Sequence, residues 1–247
     1  MPTELVHYAA LDGVATITLD SPHNRNALSR QLVSELSAHL TAAAADESVR
    51  AIVLTSADRV FCSGADLSEA STTPMLEGAR AIVALQRLIL ELPTPVVVAL
   101  RGPVRAGGTG LVAAADIVIA SDAANFQLTE VKLGLAAAAI SLTVLPRMTS
   151  RAAGLTFLSG AKFGATEAAA YGLVTRVVPA DTLDAAVSEV VAELITGALQ
   201  GLRETKGLLN ASILAGFDAR GEEVAALSAR LFDSPEAHEA MTAFLSR

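Results

Sequence analysis

The spacing of apolar positions changes character along the chain, and each change marks an element. "VATITLD" (14–20) is β-branched and stops at Ser21-Pro22, the mark of a strand running into a turn. Leu28, Leu32, Leu36 and Leu40 then recur every four residues with Val33 beside them, an apolar helical stripe. The run "AIVLTS" (51–56) predicts a buried strand, and the loop "ADRVFCSGADLSEAS" follows it. Residues 76–91 carry a second helical stripe, closed by Pro93 and Pro95. "VVVAL" (96–100) predicts a strand, "AGGTGLVAAA" opens a helix, and "DIVIAS" (116–121) is a strand again. Beyond about residue 145 strand signals nearly disappear. Helical patterns replace them in "ATEAAAYGLV", "DTLDAAVSEVVAELITGAL", "LRETKGLLNASIL", "EEVAALSARLF" and "PEAHEAMTAFL".

Strand, helix and strand in alternation predict an α/β core with crossover connections. We place that core at residues 1–190 and a helical C-terminal region at 191–247. Composition fits such a body: of 247 residues, 52% are hydrophobic and 18% charged, enough to bury a sizeable core. A net charge of -8 argues against a nucleic-acid partner, whose footprint would be basic. The single cysteine, Cys62, excludes an internal disulfide and fits a reducing compartment. "MPTELVHYAALDG" lacks the basic-then-apolar order of a signal peptide, and "PVVVAL" and "AAAAISLTVLP" are too short to span a bilayer. The expectation is a soluble, cytoplasmic protein with no membrane contact.

Two loops have the composition of backbone-donor sites. In "FCSGADL" (61–67), Ser63, Gly64 and Ala65 let the main chain come close to a ligand, and Asp66 is placed to cap a helix. In Ala106-Gly107-Gly108, Gly107 falls at a helix N-terminus, where unpaired N–H groups point outward. Each loop follows a strand, so the two could converge on one oxygen as an oxyanion hole. A dinucleotide fingerprint would need G-x-G-x-x-G after the first strand, and a P-loop would need Gly-Lys-Ser/Thr; neither is present. Glycines serving only close helix–strand packing remain an open reading of the motif by itself.

With those motifs taken in order, the chain resembles the crotonase, or enoyl-CoA hydratase/isomerase, superfamily. The resemblance runs through "NRNALS" (24–29), "FCSGADLSE" (61–69), "PVVVALRGPVRAGGTGLVAAADIVIAS" (95–121), "FQLTEVKLGL" (126–135) and "FLSGAKFGATEAAAYGLVTRVVP" (157–179). It implies a crotonase-like spiral of ββα units, with C-terminal helices that help assemble a homotrimer or a dimer of trimers. It also implies that the N–H groups of Ala65 and Gly107 bind a thioester oxygen and stabilise an enolate. The CoA portion would run along Arg25, Ala27 and the Ser63, Gly64, Ala65, Asp66, Leu67 loop. CoA enters as part of the substrate, with no further cofactor and no metal.

The resemblance points to two glutamates in hydratases of the family, one three residues past the oxyanion glycine and one within the segment matching "FQLTEVKLGL". Here the first position is Gly110, beside the expected substrate, and the second is Glu130. Glu130 precedes the apolar Val131, Leu133 and Leu135, which predicts a buried carboxyl with a raised pKa. Hydration of a 2-enoyl-CoA is the leading expectation. Double-bond isomerisation by Glu130 alone is the alternative, and a non-catalytic acyl-CoA binder stands behind both. Alanines in "GLAAAAISLTVL" (134–145), where relatives usually carry proline or glycine, imply a different acyl wall.

Other candidates carry less. Arg101 and Arg105 are expected in surface or intersubunit ion pairs, with Arg105 reading a substrate carboxylate as the sharper alternative. Ser63 and Ser68 lack a G-x-S-x-G elbow. His7, His23, His39 and His238 have no metal-ligand spacing, and His39 falls on the polar side of its helix. Cys62 is expected to pack, and Lys206 to lie on a solvated helix face or else approach CoA.

Overall fold

The computed structural model describes residues 3–71 and 74–245. A six-stranded sheet carries β1 (Val6–Leu11), β2 (Val14–Leu19), β3 (Ala51–Ser56), β4 (Val96–Leu100), β6 (Ile117–Ser121) and β9 (Arg176–Val178), side by side in that order. Only the β1–β2 hairpin is antiparallel. A smaller sheet holds β5 (Val104–Arg105), β7 (Asn125–Gln127) and β8 (Phe163–Gly164).

The chain feeds the two sheets in turn. β4 joins the large sheet, β5 the small one, and α3 (Gly107–Ala114) leads back to β6; β6 and β7 repeat the move before α4 (Ala138–Arg147). An earlier turn pairs β3 with the Cys62 segment and α2 (Met75–Glu91), because Cys62 bridges in parallel to Val104. This is the expected spiral of ββα units. Its small-sheet rungs were not legible in the sequence, since strands of two or three residues show no period.

Both faces of the large sheet are covered, which is why β3 and β4 are buried at every position. Ile52, Leu54, Val96, Val98 and Leu100 point into the main core, shared with α1 (Arg30–Ala45), α2, α3 and α4. Ala51, Val53, Val97 and Ala99 face α7 (Leu183–Ile195), which closes the other side with Leu183, Ala186, Val187 and Val191. The expected boundary at 190/191 therefore falls inside α7.

Residues 199–232 form one continuous helix, α8 (Leu199–Phe232), where the sequence pattern reads as two. It lies across α2 and α4, with Ile213, Phe217, Val224 and Ala225 in the main core. Lys206 on α8 is a correction: it is 4% exposed, neither solvated nor placed to approach CoA. Its Nζ sits 2.8 Å from Asp116 Oδ2 and donates to the carbonyls of Ile89 and Thr94. Asn210 donates to Asp116 Oδ1 and the Leu90 carbonyl, so α8 is fixed to the end of α2 by a buried polar knot. The helix α5 (Ser150–Ser159), the short α6 (Ala165–Ala170) and α9 (Pro235–Leu245) complete the chain. Among the described residues no single helix is long and apolar enough to cross a membrane.

Candidate active site

The "NRNALS" and "FCSGADL" motifs are stitched into one loop cluster. Asn26, which is fully buried, donates to the Val60 carbonyl and accepts from Ser21 N. Asn24 donates to Asp66 Oδ2, the Ser63 hydroxyl donates to the Asn24 carbonyl, and Leu28 N donates to the Gly64 carbonyl. Asp66 also accepts from Ser68 N and its hydroxyl, ahead of a short 3-10 turn. Burial would raise the Asp66 carboxyl, but those Ser68 and Asn24 bonds outweigh it and hold the group below its ordinary pKa. Asn24 and Asn26 were missed as site supports; "NRN" signals a turn, not its long-range partners.

These bonds bring Ala65 against Gly107. A Cβ built on Gly107 would stand 3.7 Å from Ala65 N, and one on Gly64 would stand 3.6 Å from Gly107 N and 2.9 Å from Ala106 Cβ. Gly64, with φ of +98, is therefore required both for its backbone and for that close approach. Ala106 holds φ of +45, a conformation a non-glycine residue adopts at a cost, and it turns the chain so that Gly107 opens α3. Neither the Ala65 nor the Gly107 N–H has an acceptor among the loop and cap hydrogen bonds of the described residues. Both N–H groups belong to residues that line one cavity.

Neighbouring strands of the small sheet bring Glu130 to the same place. Arg105 is paired in parallel with Gln127, and Ala106 N donates to the Gln127 carbonyl. Two residues past Arg105 comes Gly107, and three past Gln127 comes Glu130, the first residue of a 3-10 turn. A cavity of about 100 Å3 is lined by Ser63, Ala65, Leu67, Gly107, Thr129 and Glu130 on one side. Leu133, Leu135 and the run from Ala136 to Ile140 also line it, so the alanine wall read in the sequence does face this space. Among the described residues Glu130 is its one titratable group. Glu130 Oε2 is shut from solvent without a hydrogen-bond partner, and burial pushes the carboxyl up to about 7 against a small opposing pull from its own N–H.

Gly110 lies one helical turn past Gly107 yet does not line this cavity, contrary to expectation. A Cβ there would fall 2.6 Å from Ile140 Cγ2 and 2.7 Å from Gln86 Oε1. Gln86 is fully buried; it donates to the carbonyls of Ala139 and Ile82 and accepts the Thr143 hydroxyl at 2.6 Å. The place of a second carboxylate is thus packed shut. Sequence reasoning missed Gln86, which reads as one more position in the stripe of α2.

The remaining candidates disperse. Arg25 is exposed, with φ of +58, and its carbonyl accepts Ser63 N, while Ala27 is buried with its N–H on Asn24 Oδ1; neither they nor Gly64 line the cavity. Arg101 pairs at the surface with Asp184. Among the described residues Arg105 meets neither an acidic partner nor the cavity: its guanidinium is spent on Asn125 Oδ1 and the carbonyls of Asn125 and Val104. Cys62 is fully buried against Gly108, and burial raises its thiol to about 12, so it packs. His39 is partly buried, bonded to the Val6 carbonyl and stacked on Tyr8.

The sequence profile of the enoyl-CoA hydratase/isomerase family matches residues 10–247. A crystal structure of an enoyl-CoA hydratase from Mycobacterium avium is 45% identical with a TM-score of 0.93, covering 99% of this chain and 97% of that one. The 1,2-epoxyphenylacetyl-CoA isomerase of Escherichia coli is 31% identical over 209 residues, 81% of this chain and 79% of its own. The 4-chlorobenzoyl coenzyme A dehalogenase-2 of an Arthrobacter species is 34% identical over 201 residues, 77% and 73% respectively. Paired main-chain donors, a buried carboxyl lining the same cavity and a profile spanning nearly the whole chain agree: this protein belongs to the enoyl-CoA hydratase/isomerase family, as an acyl-CoA-processing enzyme.

Proposed function

We propose that this enzyme performs one-base chemistry on an enoyl-CoA, moving a double bond from C3–C4 to C2–C3 through an enolate. The carrying observation is that, among the described residues, Glu130 is the single titratable group of the cavity while Gln86 and Ile140 occupy the space beside Gly110. The thioester oxygen accepts from the N–H groups of Ala65 and Gly107. Glu130 takes a proton from C2, the electron pair delocalises onto that oxygen and C4, and Glu130 returns the proton at C4. A carboxyl near pH 7 in affinity suits both taking and giving. An oxyanion donor of this kind is worth about 10²–10³ in rate.

Hydration of a 2-enoyl-CoA, first in the sequence reading, becomes the second. The name of the Mycobacterium avium relative favours it. It needs a water held and activated at C3, and among the described residues no group beyond Glu130 is available to share that task in the cavity. The discriminating experiment offers a 3-enoyl-CoA and crotonyl-CoA to wild type and Glu130→Gln. Gain of conjugated thioester absorbance from the first, about 10²–10⁴ slower in the variant, is the expected result. Hydration of crotonyl-CoA at an equal or greater rate would overturn the order.

Exposed leucines on α5 and α8, namely Leu155, Leu158, Leu208 and Leu209, support assembly into a trimer or a pair of trimers, which sedimentation would test.

A further inference from the structure

α3 and α4 run side by side, in the same direction and in step. At their N-terminal ends Gly107 and the stretch from Ala138 to Ile140 line the cavity of Glu130. Half-way along, the Thr143 hydroxyl stands 3.4 Å from the Gly110 carbonyl. At the far ends Arg147, the last residue of α4, donates from Nε to the carbonyl of Ala113, the last but one of α3. Helices so arranged aim two positive poles at the cavity and bring two negative poles together behind it.

The buried polar knot sits at that far end. Lys206 spends its three ammonium protons on Asp116 Oδ2 and the carbonyls of Ile89 and Thr94. Asp116, two residues past α3, also accepts from Val96 N and from Asn210. Arg147 enters through Asn210, whose Oδ1 accepts from its Nη2 at 3.0 Å. Of the charged members among the described residues, Lys206 and Asp116 balance and Arg147 is left over. Burial lowers the pKa of Arg147 against the pull of Asp116, yet a guanidinium keeps its charge at any working pH. Packing asks for no such surplus, since a neutral side chain could join the two helices without burying a charge.

We propose that Arg147 is a positioning residue of the reaction, whose charge at the joined negative ends of α3 and α4 favours the enolate at their opposite ends. The proposal rests on the enolate reading above, which isomerisation and hydration share. The eight residues of α3 put about 12 Å between the two ends. At an effective dielectric of about 20, a unit charge at that distance changes the ease of placing an anion at Gly107 about tenfold. Arg147 is only partly buried, so water screens it and leaves about three- to tenfold. The neutral thioester feels little of this field, so the effect belongs to the reaction step and not to binding.

Three variants separate charge from packing. Arg147→Met removes the charge, Arg147→Lys keeps it with fewer donors, and Asn210→Ala loosens the knot at constant charge. On an enoyl-CoA that wild type turns over, Arg147→Met should lose about three- to tenfold in kcat with KM within twofold. Arg147→Lys and Asn210→Ala should stay within twofold in both, although Tm falls in all three. An unchanged kcat in Arg147→Met would overturn the proposal. An equal loss in Arg147→Lys or Asn210→Ala would make the knot a structural clamp and overturn it as well. A second readout needs no turnover: the infrared carbonyl stretch of a bound saturated acyl-CoA, isotope-labelled at the thioester carbon. The band should move to lower frequency on binding to wild type, and Arg147→Met should lose part of a shift that Arg147→Lys retains. A shift equal in wild type and Arg147→Met overturns the proposal alone. A band unmoved in wild type overturns the donor reading, and the proposal with it.

Discussion

Gly110→Ala adds one carbon to the most crowded point beneath the active site. The new Cβ would come within 2.6 Å of Ile140 Cγ2, 2.7 Å of Gln86 Oε1 and 2.9 Å of Gln86 Cδ, closer than real Cβ contacts come. Gln86 cannot swing away freely, because it is bound at 2.6 Å to Thr143 and 2.8 Å to Ala139 with no solvent to replace those partners. Overpacking costs about 1–3 kcal/mol. A buried polar group left without its partner costs about as much again. Alanine's better helix propensity returns about 1 kcal/mol. The expected net loss is about 2–3 kcal/mol, or roughly 5–10 °C in Tm for a chain of this length. Thermal and urea unfolding would be read beside Gly207→Ala, an α8 position with nothing within 4 Å of the added carbon, which should gain about 0.5–1 kcal/mol. In a Gln86→Ala background the same change at Gly110 should cost at least ~1 kcal/mol less, since the clashing amide is gone. A Gly110→Ala protein as stable as wild type would refute the packing argument and leave room for a side chain at 110.

With Glu130 as the proposed base, activity should rise with pH through about 7, a limb that Glu130→Gln abolishes along with turnover. Its folded pKa stands above its ordinary 4.5, so the unfolded chain loses that proton first. Stability tied to Glu130 is then full below about 4.5, falls as pH rises and is lost above 7, by ~3 kcal/mol at most; Glu130→Gln should be the more stable protein at pH 8 in urea titration. Lys206→Met should cost about 3–5 kcal/mol by stranding Asp116, whereas a cost under ~1 kcal/mol would show the knot to be idle. Arg105→Ala should lower Tm through its lost bonds to Asn125, while the kcat/KM ratio between carboxylated and neutral acyl-CoAs stays unchanged.

The long buried strands and the donor motifs were legible because each carries its signal locally: an unbroken apolar run, or glycines where the chain must turn. β3, β4 and β6 fall where the runs 51–56, 96–100 and 116–121 predict them. β5, β7 and β8 were not legible, since their pairing rests on successive spiral turns rather than on their own two or three residues. α8 runs unbroken through Gly216 and Gly221 because α2 and α4 support it, where local propensity predicts a break. Lys206 was misjudged and Gln86 missed for the same reason. Their partners, Asp116 and Thr143, lie 90 and 57 residues away in the chain, and only packing brings them together.

In the proposed reaction main-chain N–H groups meet the thioester oxygen, and a peptide N–H survives nearly every point mutation. A lineage carrying this scaffold can therefore exchange the side chains around the cavity, Glu130 or the alanine wall, without losing that pair of main-chain donors. Novelty in the reaction would arise from such exchanges while the costly part of the catalyst is inherited unchanged. Directed evolution should find the same: new acyl-CoA reactions from few substitutions near Glu130, and dead ends wherever Gly64 or the turn at Ala106 is disturbed.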